Sequence, residues 1–281
     1  MSGVALCWTL TRRDGAVFGF TDHDADLVVE GVVCRAATGW TAAALEERTG
    51  LAVGNTEVAG GLSDAGITEA DILAGRFDGA RIAAFEVNWA GDGVARRVFA
   101  GTMGEVTQAG AAFRAEVRGL AEGLNRAIGR VFQRSCSAVL GDRRCGVDLA
   151  RPEFSAEAVV ISAEAGREVV LDTGRIFAPG WFEGGRLVVL DGAAAGLAGV
   201  VKADRAEGGT LRALGLWVGL GAEIAPGIRV RIEAGCDRQA GTCRAKFGNF
   251  ANYRGFPHVP GDDWLLAYPA AGGAHDGGSR G

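Results

Sequence analysis

Four of the six cysteines in this 281-residue chain form two spaced pairs, Cys136 with Cys145 and Cys236 with Cys243. Four thiolates converging on one point select zinc or an iron–sulfur cluster, because soft sulfur ligands favour those metals over harder cations. Eight residues separate the first pair and six the second. Zinc ribbons and knuckles use spacings of roughly two to four residues, since both sulfurs must reach one small ion from one tight turn. A cubane cluster is larger and its irons are ligated separately, so it accepts wider and irregular spacing. The spacing therefore leans toward [4Fe–4S] and keeps zinc as the alternative.

The flanking residues suit an anionic centre. Arg130, Arg134, Arg143, Arg144, Arg238, Arg244 and Lys246 lie close in sequence to a cysteine of a pair, and only Asp142, Asp148 and Asp237 oppose them. A tetrathiolate centre is anionic overall, and nearby cations offset the cost of burying it. These cations do not separate zinc from a cluster. The blander reading, four ordinary buried cysteines, fits poorly with paired spacing at both ends of one region. Cys7 and Cys34 are different: each sits in an apolar run and reads as a small buried residue rather than a third ligand pair.

Phe247, Phe250, Tyr253 and Phe256 recur at every third position after the last cysteine. With Lys246 and Arg254 they could stack on single-stranded DNA. The favoured reading is a hydrophobic shell that keeps solvent from the metal site. Arg144, Arg244, Phe247 and Tyr253 are the candidate shell residues. Asp22-His23-Asp24 sits at a turn signal, where such residues bond their own backbone. The chain has no Gly-x-Ser-x-Gly elbow, His-Glu-x-x-His run or P-loop. No catalytic residue is assigned, and the expectation is a structural protein and not an enzyme.

The elements that must position the cysteines read as strands. Val4 to Leu10, Val17 to Thr21, Leu27 to Cys34, Gly50 to Gly61, Arg81 to Trp89, Val94 to Met103 and Ala112 to Arg118 are β-rich runs between turn signals. Thr68-Glu-Ala-Asp71 has the spacing of a capping box and predicts a short helix presenting Ile72 and Leu73 to a core. Leu120, Leu124 and Ile128 have helical spacing and predict a helix closing the first domain. Strands resume at Glu157 to Ser162, Glu168 to Asp172, Arg186 to Leu190, Gly199 to Ala203, Leu211 to Val218 and Gly227 to Glu233. The expected fold is mainly β: two β-rich, tube- or barrel-like domains with few short helices. The domains span residues 1–129 and 130–268, the second carrying the four-cysteine metal or iron–sulfur site. Residues 269–281 form a flexible tail.

Composition bounds the rest. Hydrophobic residues make up 48%, enough for a packed core, and the net charge of −5 argues against a general nucleic-acid binder. The 46 glycines show no collagen period and read as turn chemistry between many short strands. The apolar run before Arg12-Arg13 is too short to insert in a membrane and lacks the order of a secretory signal. Synthesis in a cytoplasm is the default expectation, where thiols stay reduced and six cysteines read as ligands or buried apolar residues rather than three disulfides.

Several stretches resemble a known family. Leu10-Thr-Arg-Arg-Asp-Gly15, Gly19-Phe-Thr-Asp-His-Asp24, Arg35-Ala-Ala-Thr-Gly39, Ile67-Thr-Glu-Ala-Asp71 and Arg118-Gly-Leu120 resemble phage proteins with a DUF2163 N-terminal domain. Gly235-Cys-Asp-Arg238, Cys243-Arg-Ala-Lys-Phe-Gly-Asn249 and Tyr253-Arg-Gly-Phe-Pro-His258 look like the companion BR0599-type C-terminal domain. The combination is similar to the tail hub proteins of α-proteobacterial gene transfer agents. More distantly it resembles the iron–sulfur tail tip protein of lambda-like phages. The resemblance implies a homotrimeric hub at the distal end of a phage-like tail, between a ring of distal tail proteins and a tip or fibre protein. DNA would pass through its lumen without specific binding. It also implies that Cys136, Cys145, Cys236 and Cys243 hold a structural [4Fe–4S] cluster. The alternatives from other classes are an iron–sulfur redox protein and a zinc-stabilised cytoplasmic adaptor.

Overall fold

The computed structural model describes residues 3–36, 41–42, 55–61, 67–91, 93–109, 112–120, 124 and 129–259. Nine strands occupy the first half of these residues. They are β1 (Val4–Thr11), β2 (Val17–Thr21), β3 (Leu27–Val29), β4 (Val32–Cys34), β5 (Thr41–Ala42), β6 (Asn55–Gly61), β7 (Arg81–Asn88), β8 (Ala95–Ala109) and β9 (Ala112–Gly119). Seven of them form one sheet in the order β2-β1-β7-β8-β9-β6-β5, with antiparallel pairing throughout. Side chains alternate across a strand, so β1 and β7 each feed two cores. Leu6, Trp8, Leu10, Ile82 and Ala84 join one apolar cluster, while Cys7, Ala83, Phe85 and Val87 join another.

The second cluster is covered by β3 and β4, which contribute Val29 and Cys34. Sequence reading takes Leu27 to Cys34 as one strand, and the structure corrects this. The chain reverses at Glu30 and Gly31, both with positive φ, as a two-residue hairpin turn with matching twist requires. Cys7 and Cys34 are both fully buried here. At the turn after β2, the Asp22 carboxylate accepts from the Leu6 N–H at 2.8 Å, and the His23 ring packs at a tilt against Trp89 with centroids 4.7 Å apart.

Helix α1 (Glu69–Leu73) starts where the capping pattern places it: the Thr68 hydroxyl accepts from the Asp71 N–H at 3.2 Å. Ile72 is buried as expected, but Leu73 is 62% exposed, because one short turn can turn only one apolar face inward. The expected closing helix at Gly119 to Ile128 falls mostly outside the described residues; Leu120 and Leu124 are exposed. The proposed 269–281 tail also lies outside them.

The second half closes on itself. Strands β10 (Ser155–Glu164), β11 (Glu168–Asp172), β12 (Arg186–Val189), β13 (Ala198–Gly208), β14 (Leu211–Leu216) and β15 (Arg229–Glu233) form a barrel in the order β10-β11-β14-β13-β12-β15. β10 pairs with both β11 and β15, so the barrel has no open edge. Inward positions alternate along β10 to β12 as Ala158, Val160, Val169, Leu171, Leu187 and Val189. The same core holds Phe182, Leu214, Leu216, Val230 and Ile232. Each large apolar side chain fully buried this way contributes about 1.5–3 kcal/mol.

One ion pair lies inside this wall. Arg212 on β14 meets Asp204 on β13 at 2.7 Å, with both side chains almost wholly buried. The other Asp204 oxygen accepts from the Phe182 N–H, and Arg212 also donates to the Phe177 and Ala178 carbonyls. The pair therefore pins the 177–182 turn against the barrel. Between the halves, Arg76 follows α1 and donates to the carbonyls of Ala193 and Ala195 at 2.8 and 3.1 Å. Asp71 holds Arg76 in place at 3.0 Å.

Candidate metal centre

The barrel register explains why cysteines far apart in sequence meet. Ser155 at the start of β10 pairs with Glu233 at the end of β15. The segment entering β10 and the segment leaving β15 therefore emerge side by side. The first carries Cys136 and Cys145. The second carries Cys236 and then Cys243, on helix α2 (Ala240–Ala245). All four cysteines line one cavity of about 610 Å³ at this end of the barrel. Among the described residues, no three His, Cys, Asp or Glu side chains are grouped closely enough to hold a single metal ion.

Backbone bonds knit the two segments into a lobe. The Cys136 N–H donates to the Arg238 carbonyl, Ser137 N–H to Arg254 and Phe256 N–H to Gln133, at 2.9 to 3.2 Å. The Tyr253 hydroxyl bridges the carbonyls of Arg134 and Arg238. Asp142 shapes the first cysteine loop. Its carboxylate accepts from the N–H groups of Val139, Arg144 and Cys145, and these bonds hold it below the usual carboxylate range, Cys145 contributing most.

The lobe is seated on the barrel by close backbone approach. A Cβ added to Gly235 would lie 1.7 Å from the Glu183 carbonyl oxygen, so only glycine lets the chain pass there into Cys236. Lys246 then donates to the Trp181 and Gly235 carbonyls at 2.6 and 2.8 Å. Burial pushes its ammonium below the usual lysine range, with partial compensation from Cys236, Asp204 and Asp237 nearby.

The thiols sense one another. Burial pushes the Cys243 thiol up, and negative charge on Cys136, Cys145 and Cys236 pushes it the same way. Three of the sulfurs also receive a hydrogen bond. The Arg238 N–H reaches Cys236 Sγ and the Arg254 N–H reaches Cys136 Sγ, each at 3.4 Å, and Asn249 Nδ2 reaches Cys145 Sγ at 3.7 Å. Arg238 takes a positive φ of 62°, a strained conformation for a residue with a side chain, in the turn that delivers its N–H. Donors aimed at sulfur stabilise thiolate over thiol, which is what a soft metal requires. The donor set thus fits a metal–thiolate group.

The four shell candidates separate. Phe247 and Tyr253 line the cavity. Arg144 instead donates to the Ser137 hydroxyl and carbonyl, and Arg244 lies over the Phe250 ring at 4.4 Å. The three-residue aromatic repeat resolves into local pairs: Phe247 with Phe154, Phe250 stacked on Tyr253, and Phe256 with Phe132. Sequence reading counted Asp142 only as an opposing charge, and gave Asn249 and the backbone donors no role at the sulfurs. Asp142 three residues before Cys145 is a readable turn signal; a backbone N–H aimed at sulfur leaves no mark in sequence.

A family model described as baseplate hub protein, N-terminal attachment domain, matches residues 2–148, just over half of the chain. The chain belongs to the baseplate hub protein family. A second model, phage conserved hypothetical protein BR0599, matches residues 180–263. Cys136 and Cys145 fall in the first matched region, Cys236 and Cys243 in the second. No curated protein matches the chain. Among solved structures, a chain from the virion of a native gene transfer agent particle is 50% identical. The match covers 98% of this chain and 94% of that one, with a TM-score of 0.88. The baseplate hub chain is thus mainly β with few short helices and a six-stranded barrel, and its family role is structural.

Proposed function

We propose that the protein is the hub of a gene transfer agent tail. The observation that carries this is the 50% identity and shared fold, over nearly the whole chain, with a chain of such a virion. In this reading it joins the distal ring of tail proteins to the tip or fibre protein, without catalysis, and lines the DNA exit channel. A net charge of −5 suits a lumen through which DNA slides without being held. The reading includes a homotrimer, whose closed rotational symmetry leaves no unmatched interface. Two β-rich units per chain let three copies meet a six-fold tube. No described helix is long and apolar enough to cross a membrane. Reconstruction of purified particles tests the assignment: three copies at the distal end of the tail are expected, and copies along the tube, or none, overturn it.

In the same reading Cys136, Cys145, Cys236 and Cys243 hold a [4Fe–4S] cluster. When bound, it supplies iron–thiolate bonds that cross-link the two segments of the lobe. Four sulfurs lining one cavity, with eight and six residues inside the two pairs, support a group larger than one zinc ion. Protein purified without oxygen is expected to carry about four irons per chain. One zinc and no iron would refute the cluster.

A further inference from the structure

We infer that Asn249 is a positioning residue for the metal centre, fixing Cys145 and tuning its sulfur; this rests on the cluster reading above. Asn249 touches two of the cysteines from one position. Its backbone N–H donates to the Cys243 carbonyl at 3.0 Å. Its side-chain Nδ2 donates to the Cys145 carbonyl at 2.6 Å and lies 3.7 Å from Cys145 Sγ. Cys145 and Asn249 are 104 residues apart, so this one amide ties the first cysteine segment to the second.

The local sequence aims it. Helix α2 ends as the Gly248 N–H bonds the Arg244 carbonyl, with Gly248 at a φ of 58°. That left-handed residue is the usual way a helix stops, and glycine takes it without strain. The chain then turns Asn249 into the cavity, which it lines. Asn252 Nδ2 donates to Asn249 Oδ1 at 2.8 Å, and this fixes which end of the amide faces Cys145. The amide is therefore held as a donor.

Asn249 differs from the other two sulfur donors. Those are backbone N–H groups of Arg238 and Arg254, which no substitution removes short of proline. Asn249 is a side chain, so its contribution can be deleted alone, while its backbone bond to Cys243 survives. A donor to a ligand sulfur favours the more negative, reduced state of a cluster and raises its potential. Partners of this kind also hold the ligand, and their loss weakens metal retention by about 10–100-fold.

The experiment compares wild type, Asn249→Leu and Asn249→Asp as full-length holoprotein prepared without oxygen. Asn249→Asp keeps the shape and loses the donor, so it carries the test if the leucine variant is insoluble. The expected result is a reduction potential more negative in both variants, read by spectroscopic titration. Iron release to a chelator is expected to be at least about tenfold faster, with unchanged circular dichroism. An unchanged potential and release rate in an iron-loaded variant overturns the role of Asn249 and leaves the cluster standing. Wild-type protein with zinc, or with no metal, overturns both.

Discussion

Cys236→Ser is expected to unfold the cysteine lobe and leave the barrel standing. The lobe, residues 129–154 and 234–259, has a small core of its own: Ala138, Cys145, Val147, Phe154 and Ala234 are its buried members. The barrel core beneath it holds fourteen buried residues and is closed on every edge. A unit with so little apolar burial needs a staple. The two segments it would join leave neighbouring strands, so the barrel already closes the long loop between them. What the site adds is closure of the short segments on either side. On the chain-entropy scale for a covalent staple across about fifteen residues, this is about 3 kcal/mol. Lost to serine, it exceeds what a handful of exposed backbone bonds can restore, each worth about 1 kcal/mol net. Hydrogen exchange read by mass spectrometry checks it: the lobe exchanges rapidly while β10 to β15 and the N-terminal sheet keep their protection. On the proposed cluster reading, stripping metal from the wild type gives the same map. Equal loss of protection across lobe and barrel would show that the staple supports the whole half.

Much of this was legible in the residues, and the part that was not has a physical reason. Period-two patterns at Leu6-Trp8-Leu10 and Val169-Leu171 mark strands, because one-sided burial forces alternation. The Thr68 cap is a local hydrogen bond and is therefore written locally. The pairing of β10 with β15 is not local. It follows from closing the barrel, and it brings Cys136 and Cys145 to Cys236 and Cys243. The cysteine types and spacing suggest a metal centre without saying what else would face the sulfurs. For Arg144 and Arg244, sequence proximity to a cysteine suggests a charge-balancing shell but does not give their contacts. Their long side chains meet a serine and an aromatic ring within their own segments.

Asp204→Leu is expected to cost about 3–5 kcal/mol, the penalty for leaving one member of a buried ion pair alone. The Arg212 side chain is 3% exposed and keeps only the Phe177 and Ala178 carbonyls, whose dipoles do not neutralise a full charge. The Phe182 N–H also loses its acceptor inside the core, a further penalty that overlaps the first. Asp204→Asn retains one oxygen, able to serve Phe182 or Arg212 but not both, and is expected to cost less. Adding Arg212→Met to Asp204→Leu removes the stranded charge and is expected to recover part of the loss, because apolar groups of similar volume tolerate such a site. The damage is expected to reach the proposed metal centre as well. Phe182 belongs to the turn whose Trp181 carbonyl accepts from Lys246 and whose Glu183 lies against Gly235, just before Cys236. Releasing that turn loosens the seat of the lobe. Denaturant midpoints of the barrel transition, with iron release to a chelator followed in parallel, check both levels. A loss under 1 kcal/mol, or a double variant no better than Asp204→Leu alone, would mean that packing rather than the ion pair holds the turn.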